Sequence, residues 1–246
     1  MADYRNVNQQ SVRTGVGSGA EIDQGLRSYM LSVYNYMGLG VALTGIVAML
    51  TAQYAIANPA VAQALFGPGI LKWVVMLAPL GFVLAISGGI NRFSTGTLQL
   101  LFWTFAAVMG VSLSSIFLVF TGTSIAQTFF VTAAAFGALS LYGYTTKKDL
   151  SAWGKFLFMG VIGLIIASVV NIFLGSSALQ FAISSLGVLI FAGLTAYDTQ
   201  RIRQEYDYVA GDAALMTRSA IGGALSLYLN FINMFMFLLQ FMGGRE

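Results

Sequence analysis

Apolar residues gather in seven blocks, near residues 29–52, 71–90, 98–120, 125–144, 156–175, 178–203 and 219–242, and short polar stretches part them. Each block holds about the 20 residues that an α-helix, rising 1.5 Å per residue, needs to cross a hydrocarbon layer of roughly 30 Å. The pattern predicts an all-α membrane protein with seven transmembrane helices. Residues 1–27 are polar, with Gly15, Gly17 and Gly19 among Gln, Ser and Asn, and read as a flexible cytoplasmic tail. Residues 28–246 then form a single seven-helix membrane domain embedded in the lipid bilayer. The first apolar block starts late and has full span length, so it is expected to remain as a helix and not to be cleaved as a signal peptide.

Composition narrows the chemistry. The chain is 57% hydrophobic and 9% charged, whereas a soluble domain carries about 25% charged residues. It has no cysteine and no histidine, which removes disulfides, thiolate and imidazole metal sites, haem ligation and Ser/His or Cys/His nucleophilic dyads. The net charge of +3 comes from scattered basic residues without a basic run, so no nucleic-acid partner is expected.

Those basic residues report topology. Arg5, Arg13 and Arg27, Arg92, Lys147, Lys148 and Lys155, and Arg201, Arg203 and Arg218 fall on one side of a seven-span arrangement, and Lys72 and Arg245 on the other, ten against two. Cytoplasmic flanks carry the Lys/Arg excess, so the N-terminus is expected in the cytoplasm and the C-terminus outside. Six spans with a re-entrant last helix fit these charges nearly as well.

Inside the spans, small and polar residues are the informative ones. Ala133/Gly137 and Ala134/Ala138 have the small-xxx-small spacing that lets helices approach closely, so the fourth span is expected to pack tightly through them. Of nine acids, Asp198 alone lies within a span. A charge there costs about 2.5–3.5 kcal/mol on insertion scales, so such residues face a bundle interior and mark ion or proton paths. Arg201, one turn on at (i, i+3), offers an ion-pair partner within the same helix. Arg92, between the second and third spans on the same side, offers another from a distance. In the seventh span Ser226, Asn230 and Asn233 share one helix face that continues back to Gly222, and they are candidates to line a pore or to bond between helices. Asn171 in the fifth span, and Gly110, Ser112, Ser114 and Ser115 in the third, are further pore-facing candidates.

Several strings taken in order carry a family likeness. Thr195–Gln200 (TAYDTQ), Leu225–Phe235 (LSLYLNFINMF), Lys147–Ser151 (KKDLS) and Phe102–Phe117 (FWTFAAVMGVSLSSIF) make the chain resemble the bacterial branch of the transmembrane Bax inhibitor motif family over residues 25–242. The resemblance implies six helices around a central seventh, residence in the bacterial cytoplasmic (inner) membrane, and a pH-sensitive calcium leak. In that family paired aspartates on the last two helices sense pH, and an arginine after the second helix latches onto them. Asp198 matches the first aspartate and Arg92 the arginine; the second aspartate is replaced by Asn230. Two close carboxylates share a proton and titrate together, whereas an amide keeps the hydrogen bond but cannot titrate.

The expectation that follows is a leak path for calcium or other cations in which ionised Asp198 pairs with Arg92 to hold one end closed. Calcium is the permeant ion and no resident cofactor is expected. Asp198 is at most a weak calcium contact, because one carboxylate with amide oxygens falls short of the six to eight oxygens such sites collect. A different reading is a stress-regulatory membrane protein that binds a membrane protease or other complex through its N-terminal tail. Enzymatic activity is not expected: intramembrane aspartyl proteolysis needs two carboxylates in contact, and only Asp198 lies within a span.

Overall fold

In the computed structural model the backbone is described for residues 7–244 and the side chains for residues 24–244. The helices are α1 (Val7–Ala57), α2 (Pro59–Phe66), α3 (Ile70–Gly89), α4 (Thr95–Leu113), α5 (Ile116–Val119), α6 (Gly122–Thr145), α7 (Ser151–Leu174), α8 (Ser177–Val209) and α9 (Ala213–Met242), and no strand occurs among the described residues. Seven segments are long and apolar enough to cross a membrane: α1 from Gln24 onward, α3, α4 continued into α5, α6, α7, α8 and α9. The chain is a multi-pass membrane protein. Its spans overlie the seven apolar blocks, with α8 and α9 extending several residues beyond them at the polar loop between.

The expected flexible tail falls largely on residues outside the described side chains. Gln24–Arg27, which are described, belong to α1 instead: Leu26 packs on the core and a Cβ at Gly25 would meet the Tyr206 ring. Contact with α8 thus extends the first helix past its apolar block.

Local signals set the helix starts. Ser94, Thr121, Ser176 and Asp212 each accept a hydrogen bond from a backbone N–H in the first turn of the helix that follows, satisfying donors that would otherwise be orphaned. The α7–α8 link is Gly175-Ser176; Gly175 takes φ 58°, the left-handed conformation that closes a helix, and only glycine adopts it without a Cβ penalty.

The seventh span is central. In α9, 61% of the most apolar window is buried, against 33% or less in every other span and 11% in α3 and α7. It packs against α1, α3, α4, α6 and α8, while α7 packs on α8. Tyr228 of α9 ties three helices together: its hydroxyl meets Thr44 Oγ1 of α1 at 2.7 Å, and Thr44 donates to the Ala106 carbonyl of α4 at 2.8 Å.

Pro79 lies within α3 and cannot donate to Val75, four residues back. Ser112 of α4 donates its hydroxyl to that freed Val75 carbonyl, which hydrocarbon would otherwise leave unpaired. Ser112 therefore joins two helices. Gly110 has a similar use, since a Cβ there would meet the Thr44 carbonyl and the Val47 side chain, and Ser114 bonds back to Val111 where the third span breaks before α5.

The tight packing expected of the fourth span is formed elsewhere on the helix. Ala134, Gly137 and Ala138 are exposed, and nothing approaches the Cβ position of Gly137. The buried face of α6 is Thr128, Thr132, Phe136, Ser140 and Gly143. A Cβ at Gly143 would collide with the Ala196 backbone, so this glycine lets α6 and α8 touch main chain to main chain.

Candidate functional site

Asp198 lies on α8 where the apolar part of the span ends, and its side chain is 13% exposed. Arg201 donates to its Oδ1 from Nε at 3.1 Å and from Nη2 at 2.9 Å, so one turn of helix forms the ion pair without help from another element. Asn230 of α9, 4% exposed, donates from Nδ2 to the other carboxylate oxygen at 2.8 Å. Arg201 Nη2 also donates to Ser226 Oγ at 3.2 Å. Both oxygens of the carboxylate are thus held, and α8 is joined to α9 through Asp198–Asn230 and Arg201–Ser226.

Arg92 is not part of this constellation. It lies exposed in the turn after α3 and makes no ion pair among the described residues. The expected Asp198–Arg92 pair is not formed, because a guanidinium three residues along the same helix already occupies the carboxylate. The amide of Asn230, standing where a second aspartate would, takes the second oxygen as a donor.

These groups form the polar floor of a groove of about 940 Å³ bounded by α7, α8, α9 and Leu80 of α3. Asn233 and Ser226 line it too, Asn233 with its amide donating to its own helix at the Leu229 carbonyl. The walls are apolar. A second cavity of about 210 Å³ lies beside it, containing Glu205 and Ser219, and the two share Arg201, Ser226 and Leu229. Arg201 therefore stands on the divide between a space reaching into the bundle and a space near the loop end, with a carboxylate on either side.

Asn171 is not brought to this groove. Its carbonyl accepts from the Ser176 N–H at 3.0 Å across the α7–α8 link, and its amide donates to Gln180 Oε1 at 3.1 Å. Gln180 donates in turn to Gln240 Oε1 at 2.7 Å, and Ser184 meets the same oxygen at 3.4 Å. This neutral cluster borders its own cavity of about 430 Å³ at the opposite end of the α8–α9 seam. Between the clusters the rings of Phe191 and Phe237 stack with centroids 5.9 Å apart. Gln240 escapes a search for charge, yet it lies seven residues beyond Asn233 and continues the Ser226–Asn230–Asn233 face by two more turns.

Among the described residues no three Asp, Glu, His or Cys side chains converge on a metal-sized site. Asp198 brings a single carboxylate whose two oxygens are already engaged by Arg201 and Asn230. A tightly held resident cation does not fit that donor set, which suits at most a passing one.

The bundle and its partly buried carboxylate define a polytopic helical membrane protein with a polar site between its last two helices. The family model for the inhibitor of apoptosis-promoting Bax1 matches residues 26–246. An uncharacterized protein of Caulobacter vibrioides is 51% identical over 233 residues, 92% of each chain. An uncharacterized protein of Rickettsia prowazekii is 47% identical over 246 residues, the full length of both. The inner membrane protein YbhL of Escherichia coli is 45% identical over 223 residues, 90% of this chain and 94% of that one. The chain belongs to the Bax inhibitor family.

Proposed function

We propose that the protein is a pH-sensitive cation leak of the bacterial inner membrane, with calcium as its permeant ion and its N-terminus in the cytoplasm. The observation that carries the reading is the Asp198–Arg201 ion pair on the divide between the two cavities. Ionised Asp198 holds Arg201 beside Ser226, so that the paired side chain blocks the divide between the two cavities. Protonation of Asp198 removes that attraction. Arg201 can then turn to Glu205, at (i, i+4) on the same helix and facing the neighbouring cavity. Arg201 takes the latch role that the family likeness assigns to Arg92. Asn230 holds the carboxylate in place without titrating, so one proton operates the device where a pair of aspartates would share it. The role is transport and not catalysis.

Calcium flux into proteoliposomes at several pH values tests this. Wild type is expected to leak faster as pH falls, and Asp198→Asn to leak fast at every pH. Equal flux from both proteins across the range rejects the reading.

A further inference from the structure

The two least buried spans, α3 and α7, flank the groove, and its walls continue onto surfaces that lipid covers: Leu80 is 56% exposed, Phe158 63% and Ile165 59%. Charge is confined to one end, and Ser168, farther along α7, spends its hydroxyl on the Leu164 carbonyl. At the charged end Lys155, exposed and without an ion pair among the described residues, lines the groove together with Arg201. Among the residues lining the groove two cations meet one carboxylate, Asp198, a net charge of +1, while Glu205 faces the neighbouring cavity on the other side of Arg201. From Lys155 the α7 wall continues through Val161, Ile165 and Val169 to Ile172, seventeen residues or about 26 Å away. That is ample for an acyl chain reaching the middle of a bilayer whose apolar core is roughly 30 Å thick.

We propose that the groove holds one anionic phospholipid of the surrounding bilayer, its phosphate on Lys155 and Arg201 and an acyl chain along α7. The shape is that of an amphiphile, and the charge selects the headgroup. Basic pockets between membrane helices bind acidic headgroups, and a phosphate can take hydrogen bonds from two cations at once. Asp198, which lines the same groove, opposes an anion, but both of its oxygens are engaged by Arg201 and Asn230, so the approach from Lys155 is the favourable one. The assignment does not depend on the cation leak.

Purified full-length protein, stripped of lipid in a neutral detergent, is titrated with phosphatidylglycerol, phosphatidylcholine or oleate, and bound lipid is counted by native mass spectrometry. One equivalent of phosphatidylglycerol is expected to bind at least about fivefold more tightly than phosphatidylcholine, the factor that a single cation beside an anionic headgroup supplies. Lys155→Glu should abolish the preference, and Lys72→Glu, at the far end of α3, should leave it intact. Val169→Trp, which fills the chain's path at a half-exposed position, should weaken phosphatidylglycerol binding with both cations in place. Equal affinity for the two phospholipids, a preference that survives Lys155→Glu, or oleate binding as tightly as phosphatidylglycerol each overturns the assignment.

Discussion

The seam between α8 and α9 carries two polar clusters about 21 Å apart, counted as the fourteen residues from Ser184 to Asp198. They solve the same problem with different chemistry. At the Gln240 end, amides and a hydroxyl from α7, α8 and α9 satisfy one another, so the cluster is neutral and closed on itself. At the Asp198 end a carboxylate is neutralised by a cation that stays 43% exposed, beside a large groove. Hydrogen bonds between membrane helices contribute only about 0.6 kcal/mol each, which suffices to align neutral helices. An intramembrane carboxylate costs several times that unless paired, so the ionic cluster stakes far more on a single contact. The Phe191–Phe237 stack keeps the two apart. A neutral cluster is insensitive to pH and tolerant of loss, whereas an ionic one changes state with one proton.

The comparison breaks most sharply at Arg201. Arg201→Leu leaves Asp198 with Asn230 alone and should lower stability by about 1–3 kcal/mol, the cost of stranding a charged group, kept modest because this end is partly open. The SDS midpoint of unfolding in mixed micelles measures it. Adding Asp198→Asn to Arg201→Leu should recover most of the loss, since the stranded charge is then gone. If the double variant is no more stable than the single, the ion pair does not carry the contact.

Asn230→Asp turns the single carboxylate into a pair. Asn230 Nδ2 lies 2.8 Å from Asp198 Oδ2, so two ionised carboxylates there would repel and one would be held protonated in the folded state. The folded protein then keeps a proton that the unfolded chain gives up. Stability is fully present below the unfolded pKa and is lost as pH rises, until the folded protein releases the proton too. The loss is about 1.4 kcal/mol for each rise of one in pH over which the two states differ by a whole proton. Asn230→Asp should therefore match wild type in acid and fall below it towards neutral pH. A constant difference across the range would mean that the carboxylates do not couple.

Much of the architecture was legible because hydropathy in a membrane is a one-dimensional signal: a helix must be apolar for about 20 residues, and that run is visible before any tertiary contact is known. Asp198 was legible for the same reason, as a charge where charge is expensive. Its partner was not decided by position alone, since Arg92 and Arg201 were both within plausible reach. The (i, i+3) geometry of Arg201 needs no tertiary arrangement, and the end of α3 leaves Arg92 exposed. The small-residue spacing of the fourth span misled because alanine and glycine are comfortable against lipid as well as against a neighbour. Gly143 is the glycine that a main-chain contact requires, and its spacing does not set it apart. Asn171 read as a polar residue within a span, but its place five residues before Ser176 makes it the fastener of the next turn.

At the neutral end, Gln240→Leu removes the acceptor shared by Gln180 and Ser184 and should cost about 1 kcal/mol. Nothing in that cluster titrates, so the loss should be the same from acid to neutral pH in the same unfolding assay. A pH-dependent loss would couple the Gln240 end to the ionic one and contradict their separation by the Phe191–Phe237 stack.

The smallest effect belongs to Asp149, in the loop beside the ionic end. Its carboxylate accepts from the Ser151 N–H at 2.8 Å at the start of α7. The Ser151 hydroxyl and then its backbone N–H hold the carboxyl below the usual carboxylate range, against a weak opposing effect of desolvation. A folded-state pKa lowered in this way contributes stability above the unfolded value that is lost as pH falls through the folded one. Asp149→Asn, which cannot ionise, should lack that contribution at neutral pH and converge on wild type in acid; the difference has the same sign as that expected for Asn230→Asp, but here wild type changes with pH and the variant does not. Because Asp149 is fully exposed, solvent screens the interaction and the two proteins should differ by little more than the precision of a careful SDS titration. A pH-independent difference would assign Asp149 a purely geometric capping role.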